Sequence, residues 1–97
     1  MLEGKVGFRF MPIKNNFIYK EINNEYMLIP LEGDNVSLSK VFNLNEVGAF
    51  IYKALKAFDD IDKVVASLME EYDVSYDIAK RDVLSFIEEL KRRGIYA

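Results

Sequence analysis

The 97-residue chain contains no cysteine and no histidine. Without cysteine there is no disulfide framework and no thiolate nucleophile, a composition that fits the cytosol. Without histidine there is no side chain of ordinary pKa near neutrality to serve as a general base. The conventional zinc and iron–sulfur ligand sets go with these two residue types. No apolar run approaches the length that spans a bilayer. The first ten residues carry Glu3 and no continuous apolar core, so they do not read as a secretory signal. The five glycines, at 4, 7, 33, 48 and 94, form no phosphate-cradling motif. Neither sign of charge dominates: residues 1–44 carry five bases and five acids, and residues 45–97 carry eight bases and eleven acids, for a net charge of −3. A phosphate-binding surface calls for an excess of lysine and arginine, so this balance weighs against nucleic acid. What is present is a 51% apolar, 30% charged chain, the balance of one globular domain with a single core.

Along the chain, residues 1–16 read as an arm with a short strand at 8–11. Two segments rich in β-formers follow, "FIYKEI" at 17–22 and "EYMLIPL" at 25–31. Between them lies Asn23-Asn24, a pair that tolerates the positive φ of a tight hairpin turn. Pro30 cannot donate to a ladder, which ends the second strand or puts it at an edge, and "EGDN" at 32–35 reads as a loop. A third strand is expected at 39–44. Leu38, Phe42 and Leu44 fall on its buried face, Ser39, Val41 and Asn43 on the other, and Lys40 marks an exposed start.

Three helices come next. Asn45 is an N-cap followed by an acidic first turn at Glu46, with a stripe of Val47, Phe50, Ile51, Leu55 and Phe58. Asp59 or Asp60 caps a second helix carrying Ile61, Val64, Val65, Leu68 and Met69. "DVS" ends it, and Ser75 caps a third with Ala79, Val83, Phe86, Ile87 and Leu90 toward the core. Lys91, Arg92 and Arg93 fill the last turn and Gly94 is its C′ residue. The order of hairpin, strand and three short helices predicts an α+β domain of winged-helix type. The domain is residues 17–97, preceded by the arm.

No constellation in the sequence carries catalysis. Asp59, Asp60 and Asp62 lack the spacing of a calcium loop and are explained by a helix start. Glu70-Glu71 and Glu88-Glu89 read as solvated helix faces, because adjacent helical residues do not converge on one atom. Neither an enzyme nor a cofactor nor a metal site is expected.

The series "FIYKEINNEYMLIPL", "LNEVGAFIYKAL" and "IDKVVASLMEEYDVSYDIAKRDVLSFIEELKRRGI" resembles the PqqD family over residues 17–96. Its most specific parts are "LNEVGAFIY" and "EEYDVSYDIAKRDVLSFIEELKRRGI". Tyr52 stands where that family often has tryptophan, and residues 32–40 look longer than in its shortest members. The resemblance implies a non-enzymatic, cytosolic recognition element for ribosomally made, modified peptides. Such a domain holds a precursor's leader segment as an added strand and presents it to a modifying enzyme, commonly a radical S-adenosylmethionine enzyme, in pyrroloquinoline quinone or a related biosynthesis.

Strand addition needs an unpaired edge and pockets for alternate side chains. The expected groove lies between Lys40, Val41, Phe42, Asn43 and Leu44 on one side and Lys80, Leu84, Ile87 and Lys91 on the other. Phe42 and Ile87 form its floor, and the lysines suit an acidic peptide. Ile78, Asp82, Ser85 and Glu89 make a more acidic alternative wall on the opposite flank of the helix. Two rival functions are a winged-helix DNA-binding regulator and a structural subunit that pairs with its own copy through the open strand edge.

Overall fold

The structure, a computed structural model, describes residues 17–32, 35, 36, 40–58 and 60–95. The expected arm at 1–16 and its short strand lie outside the described residues, as do Leu38, Ser39 and Asp59. Among the described residues, four strands precede three helices. They are β1 (Phe17–Ile22), β2 (Glu25–Glu32), β3 (Asn35–Val36) and β4 (Phe42–Leu44), then α1 (Glu46–Ala57), α2 (Ile61–Tyr72) and α3 (Tyr76–Arg92). This is the α+β, winged-helix-like order that the sequence predicts.

The hairpin is set by its turn. Asn23 and Asn24 both adopt positive φ, 52° and 66°, which matches a two-residue connection to the twist of the strands. The register runs from Ile22 opposite Glu25 to Phe17 opposite Pro30. β2 is the central strand: β1 lies on one side, and β3 and β4 pair with it on the other, all antiparallel.

Two expectations about the strands are corrected here. β2 neither ends at Pro30 nor lies at an edge; it runs on to Glu32. A two-residue turn makes Ile22 and Glu25 a hydrogen-bonded pair, and backbone direction alternates from there. Glu25, Met27 and Ile29 therefore point their amides and carbonyls at β1, while Tyr26, Leu28 and Pro30 point theirs away from it. The amide that proline lacks is one β1 never uses. Residues 32–35 are also not simply a loop, since Asn35–Val36 folds back to pair Glu32 and Leu31.

One face of the sheet carries Phe17, Tyr19, Tyr26, Leu28, Phe42 and Leu44, and the helices pack there. Leu28 is fully buried, and the partly buried rings of Phe17, Tyr19, Tyr26 and Phe42 surround the same core. α1 touches β2 and β4 on one side and α2 and α3 on the other. That central position buries Gly48, Ala49, Tyr52 and Ala54 as well as the expected Ile51 and Leu55. Phe58, placed in the stripe by periodicity, is instead the extended C-cap residue and is 39% exposed. α2 contributes Val64, Val65 and Leu68, and α3 contributes Ala79, Val83, Ile87 and Leu90.

The helix ends follow from side chains. Asn45 Oδ1 accepts from the Gly48 amide at 2.7 Å, Asp60 Oδ1 from the Asp62 amide at 2.8 Å, and Ser75 Oγ from the Ile78 amide at 3.3 Å. Asp60 is thus a helix cap. Asp73 ends α2 in the left-handed conformation, with φ 53°. At the end of α3, Gly94 has φ 75°; its amide donates to the Lys91 carbonyl at 3.0 Å and the Ile95 amide to the Leu90 carbonyl at 2.8 Å. This is the six-residue glycine stop in which the following apolar residue is drawn in, and Ile95 is fully buried.

Candidate functional site

β4 is short and, among the described residues, paired on one side. It is three residues long, starting at Phe42 rather than at 39, and the chain at Lys40 is already in a helical turn. Among the described residues its one ladder partner is β2, in the register Tyr26 to Leu44, Met27 to Asn43 and Leu28 to Phe42. The alternation fixed by the hairpin turn carries across β2. Tyr26 and Leu28 point their backbone groups at β4, so Leu44 and Phe42 return theirs to β2. The amide and carbonyl of Asn43 then point outward, along the open border. Side chains alternate in the other sense: Phe42 and Leu44 face the core, and Asn43 is exposed.

The chain turns from β4 into α1 without a spacer. Asn45 is extended and its carbonyl is taken by the Ala49 amide at 2.9 Å. The open border therefore meets the first turn of α1 end to end, and α3 passes beside both. No Cα of β4 comes within 8 Å of α3; side chains bridge the gap. The rings of Phe42 and Phe86 stack with centroids 6.4 Å apart. The Arg93 guanidinium lies 3.8 Å from the centroid of Phe42 and is held by its Nε donating to Glu89 Oε2 at 2.7 Å. Glu89 also accepts from Arg92.

Beside Phe86 an open cleft of about 460 Å³ runs between α1 and α3. Val47, Gly48, Ile51 and Phe86 supply its apolar lining, and Asn45, Asp82, Ser85, Glu89 and Arg92 supply its polar rim. Gly48 decides its depth. A Cβ there would lie 3.1 Å from Phe86 Cε1 and 3.1 Å from Asn45 Oδ1, tighter than ordinary van der Waals contact.

The residues singled out from the sequence divide into two groups. Val41, Phe42, Asn43 and Leu44 form or adjoin the open border, with Lys40 exposed just before it. On α3, Ile87 is 4% exposed and belongs to the core, and the ring that meets Phe42 is that of Phe86. Lys80, Leu84 and Lys91 project from a flank about 170° round the helix from Asp82, Ser85, Phe86 and Glu89, taking about 100° per residue. Lys80 donates to the Tyr76 hydroxyl at 3.2 Å. That bond, foremost, raises its pKa, with a smaller contribution from Asp62 at the start of α2. Lys91 pairs with Glu88 at 3.7 Å, and Leu84 is 43% exposed. The structure does not bring this flank to β4; the acidic alternative wall is the one that meets it. Sequence reasoning missed Gly48 and Arg93. The lone glycine inside an apolar helix was the available signal for the first, whereas the second depends on how the end of α3 lies over the sheet.

Three further facts bear on class. Among the described residues no group of three potential metal-ligating side chains converges, and no helix is long and apolar enough to cross a membrane. Four bases of α3 and its cap are engaged by acids of the same helix: Arg81 with Asp82, Lys91 with Glu88, and Arg92 and Arg93 with Glu89; Lys80 donates to the Tyr76 hydroxyl instead.

No curated protein sequence matches the chain. A solved structure described as TbiB1 in complex with the TbiA(beta) leader peptide superposes with a TM-score of 0.72. It is 23% identical, with 89% of this chain and 94% of that one covered. The family model described as coenzyme PQQ synthesis protein D (PqqD) matches residues 25–95, from the start of β2 to the buried residue after the glycine stop. That span holds β4, α1 and α3 together, and the chain belongs to the PqqD family.

Proposed function

We propose that this domain is a peptide-binding adaptor. An extended segment of a precursor peptide adds to the outer border of β4, lies beside α3, and is presented to a separate modifying enzyme. The observation that carries this reading is the one-sided pairing of β4 among the described residues, with the Asn43 amide and carbonyl directed outward next to an open cleft. Backbone bonds of this kind give affinity with little sequence preference, and the adjoining cleft supplies the side-chain selection that they lack. TbiB1, of the same fold, was solved with a leader peptide, which supports the reading.

In this assignment Val41, Phe42, Asn43 and Leu44 form the strand border and Lys40 flanks its entry. The α3 wall is Asp82, Phe86, Glu89 and Arg93 rather than Lys80, Leu84, Ile87 and Lys91. The domain does no chemistry of its own and needs no cofactor. It works in the cytosol beside an enzyme of the radical S-adenosylmethionine type, in pyrroloquinoline quinone or a related peptide pathway. The DNA-binding alternative is weakened by the ion pairing along α3, because recognition helices present free bases and amides to the groove.

The direct experiment is titration by fluorescence anisotropy. A labelled synthetic peptide from any short reading frame found neighbouring the gene is added to the purified chain. Saturable one-to-one binding is expected. No binding by that peptide, nor by any member of a displayed peptide library, contradicts the adaptor reading.

A further inference from the structure

We propose that the cleft between α1 and α3 selects a basic side chain, lysine or arginine, of the bound peptide, with Asp82 as the residue that sets this preference. The inference rests on the adaptor reading above and narrows the class of peptide it takes.

The cleft has two different ends. At one, Glu89 is neutralised twice, by Arg92 and by Arg93. At the other stands Asp82, whose ion pair is with the Nε of its sequence neighbour Arg81 at 3.7 Å. That arginine is a loose partner: its side chain is 73% exposed, against 42% for Asp82. A better-placed cation can displace it at little cost, because an exposed pair of this length contributes little. Glu89 offers no such opening.

Between the two ends the lining is apolar and flat. The Phe86 ring and Gly48, with Val47 and Ile51, form a bed of about 460 Å³ in total volume, ample for one long side chain. Lysine and arginine combine an apolar stem with a charged head, and such side chains lay the stem on apolar surface while the head stays at a polar rim. The exposed portion of the Phe86 ring adds attraction for a cation. Ser85, one helical turn from Asp82 toward Glu89, supplies a hydroxyl acceptor at the same rim. An acidic side chain in this position would meet Asp82 with no base of the cleft left unpaired, and an aliphatic one would leave the rim unused.

The charge preference is testable by exchange. A phage-displayed library of random peptides is selected against the full chain and against the Asp82→Lys and Asp82→Asn variants. Circular dichroism of each variant checks that the fold is kept, as expected for a side chain this exposed. The wild type should enrich lysine or arginine at one fixed position, and a synthetic enriched peptide should bind Asp82→Asn about tenfold more weakly, the scale of a hydrogen bond to a charged group. Asp82→Lys should enrich aspartate or glutamate at that same position. Enriched peptides without a charge preference, or identical sequences enriched by wild type and Asp82→Lys, would overturn the assignment of Asp82 while leaving strand addition standing. Failure to enrich any peptide would overturn both.

Discussion

At the scale of single residues, the end of α3 depends on backbone more than on side-chain contact. Gly94 holds φ 75°, and among the described residues nothing lies within 4 Å of where its Cβ would be. Alanine there meets no clash, so the cost is the left-handed conformation alone, about 1 kcal/mol for an L-residue. Gly94→Ala should therefore lower the thermal midpoint by about 5 °C in a domain of this size. Gly94→Asn should lower it less, since asparagine tolerates that region. Calorimetry on the three proteins decides it, and an unchanged midpoint in Gly94→Ala would show that the glycine stop is dispensable. The stop matters to the site as well as to stability. It buries Ile95 and leaves Arg93, the residue just before it, lying over Phe42.

At the scale of elements, β4 combines a firm inner side with an outer one that no described strand covers. Its three residues alternate in backbone direction, so their tolerance of proline should alternate too. Asn43 spends its amide outward, and proline is accepted in a strand where the missing N–H faces away from the ladder. Asn43→Pro should leave the circular dichroism spectrum and the midpoint nearly as they are while abolishing peptide binding in the anisotropy titration. Phe42→Pro removes a bond to β2 together with the ring stacked on Phe86, and should destabilise the fold outright. Equal destabilisation by both variants would mean that the alternation derived from the Asn23-Asn24 turn is wrong.

The elements themselves were largely legible in the sequence. The asparagine pair, the three N-caps and the glycine stop are local signals, and each acts through a backbone conformation or a free amide within a few residues. Pro30 was misleading for a corresponding reason. A proline's effect on a strand depends on which neighbour its nitrogen faces, and that parity is set eight residues earlier in the chain, at Ile22. The length of β4 was overestimated because apolar alternation records which face is buried and says nothing about where pairing starts.

At the scale of the whole molecule, the candidate site arises from three elements that are distant in sequence or differ in direction. β4 supplies a border that no other described strand pairs, α1 begins where β4 stops, and α3 passes beside both with Phe86, Glu89 and Asp82 turned toward them. Which flank of α3 faces the sheet was not readable from the helical wheel. The core stripe of Ala79, Val83, Ile87 and Leu90 has two borders, one with Lys80, Leu84 and Lys91 and one with Asp82, Ser85 and Glu89. Periodicity treats the two alike. The choice is made by the packing of Phe86 against Phe42 and Gly48, a contact between residues far apart in the chain. It also reverses the expected charge of the peptide: a lysine-rimmed wall would suit acidic partners, and the wall that meets β4 carries Asp82.

Hydrogen exchange followed residue by residue by NMR, on the chain alone and with a saturating bound peptide, tests the open border most directly. The amides of Phe42 and Leu44 donate to β2 and should be protected in both states. The Asn43 amide should exchange quickly in the free protein and become protected only in the complex. An Asn43 amide already protected without peptide, or one still unprotected in a saturated complex, would contradict strand addition at β4.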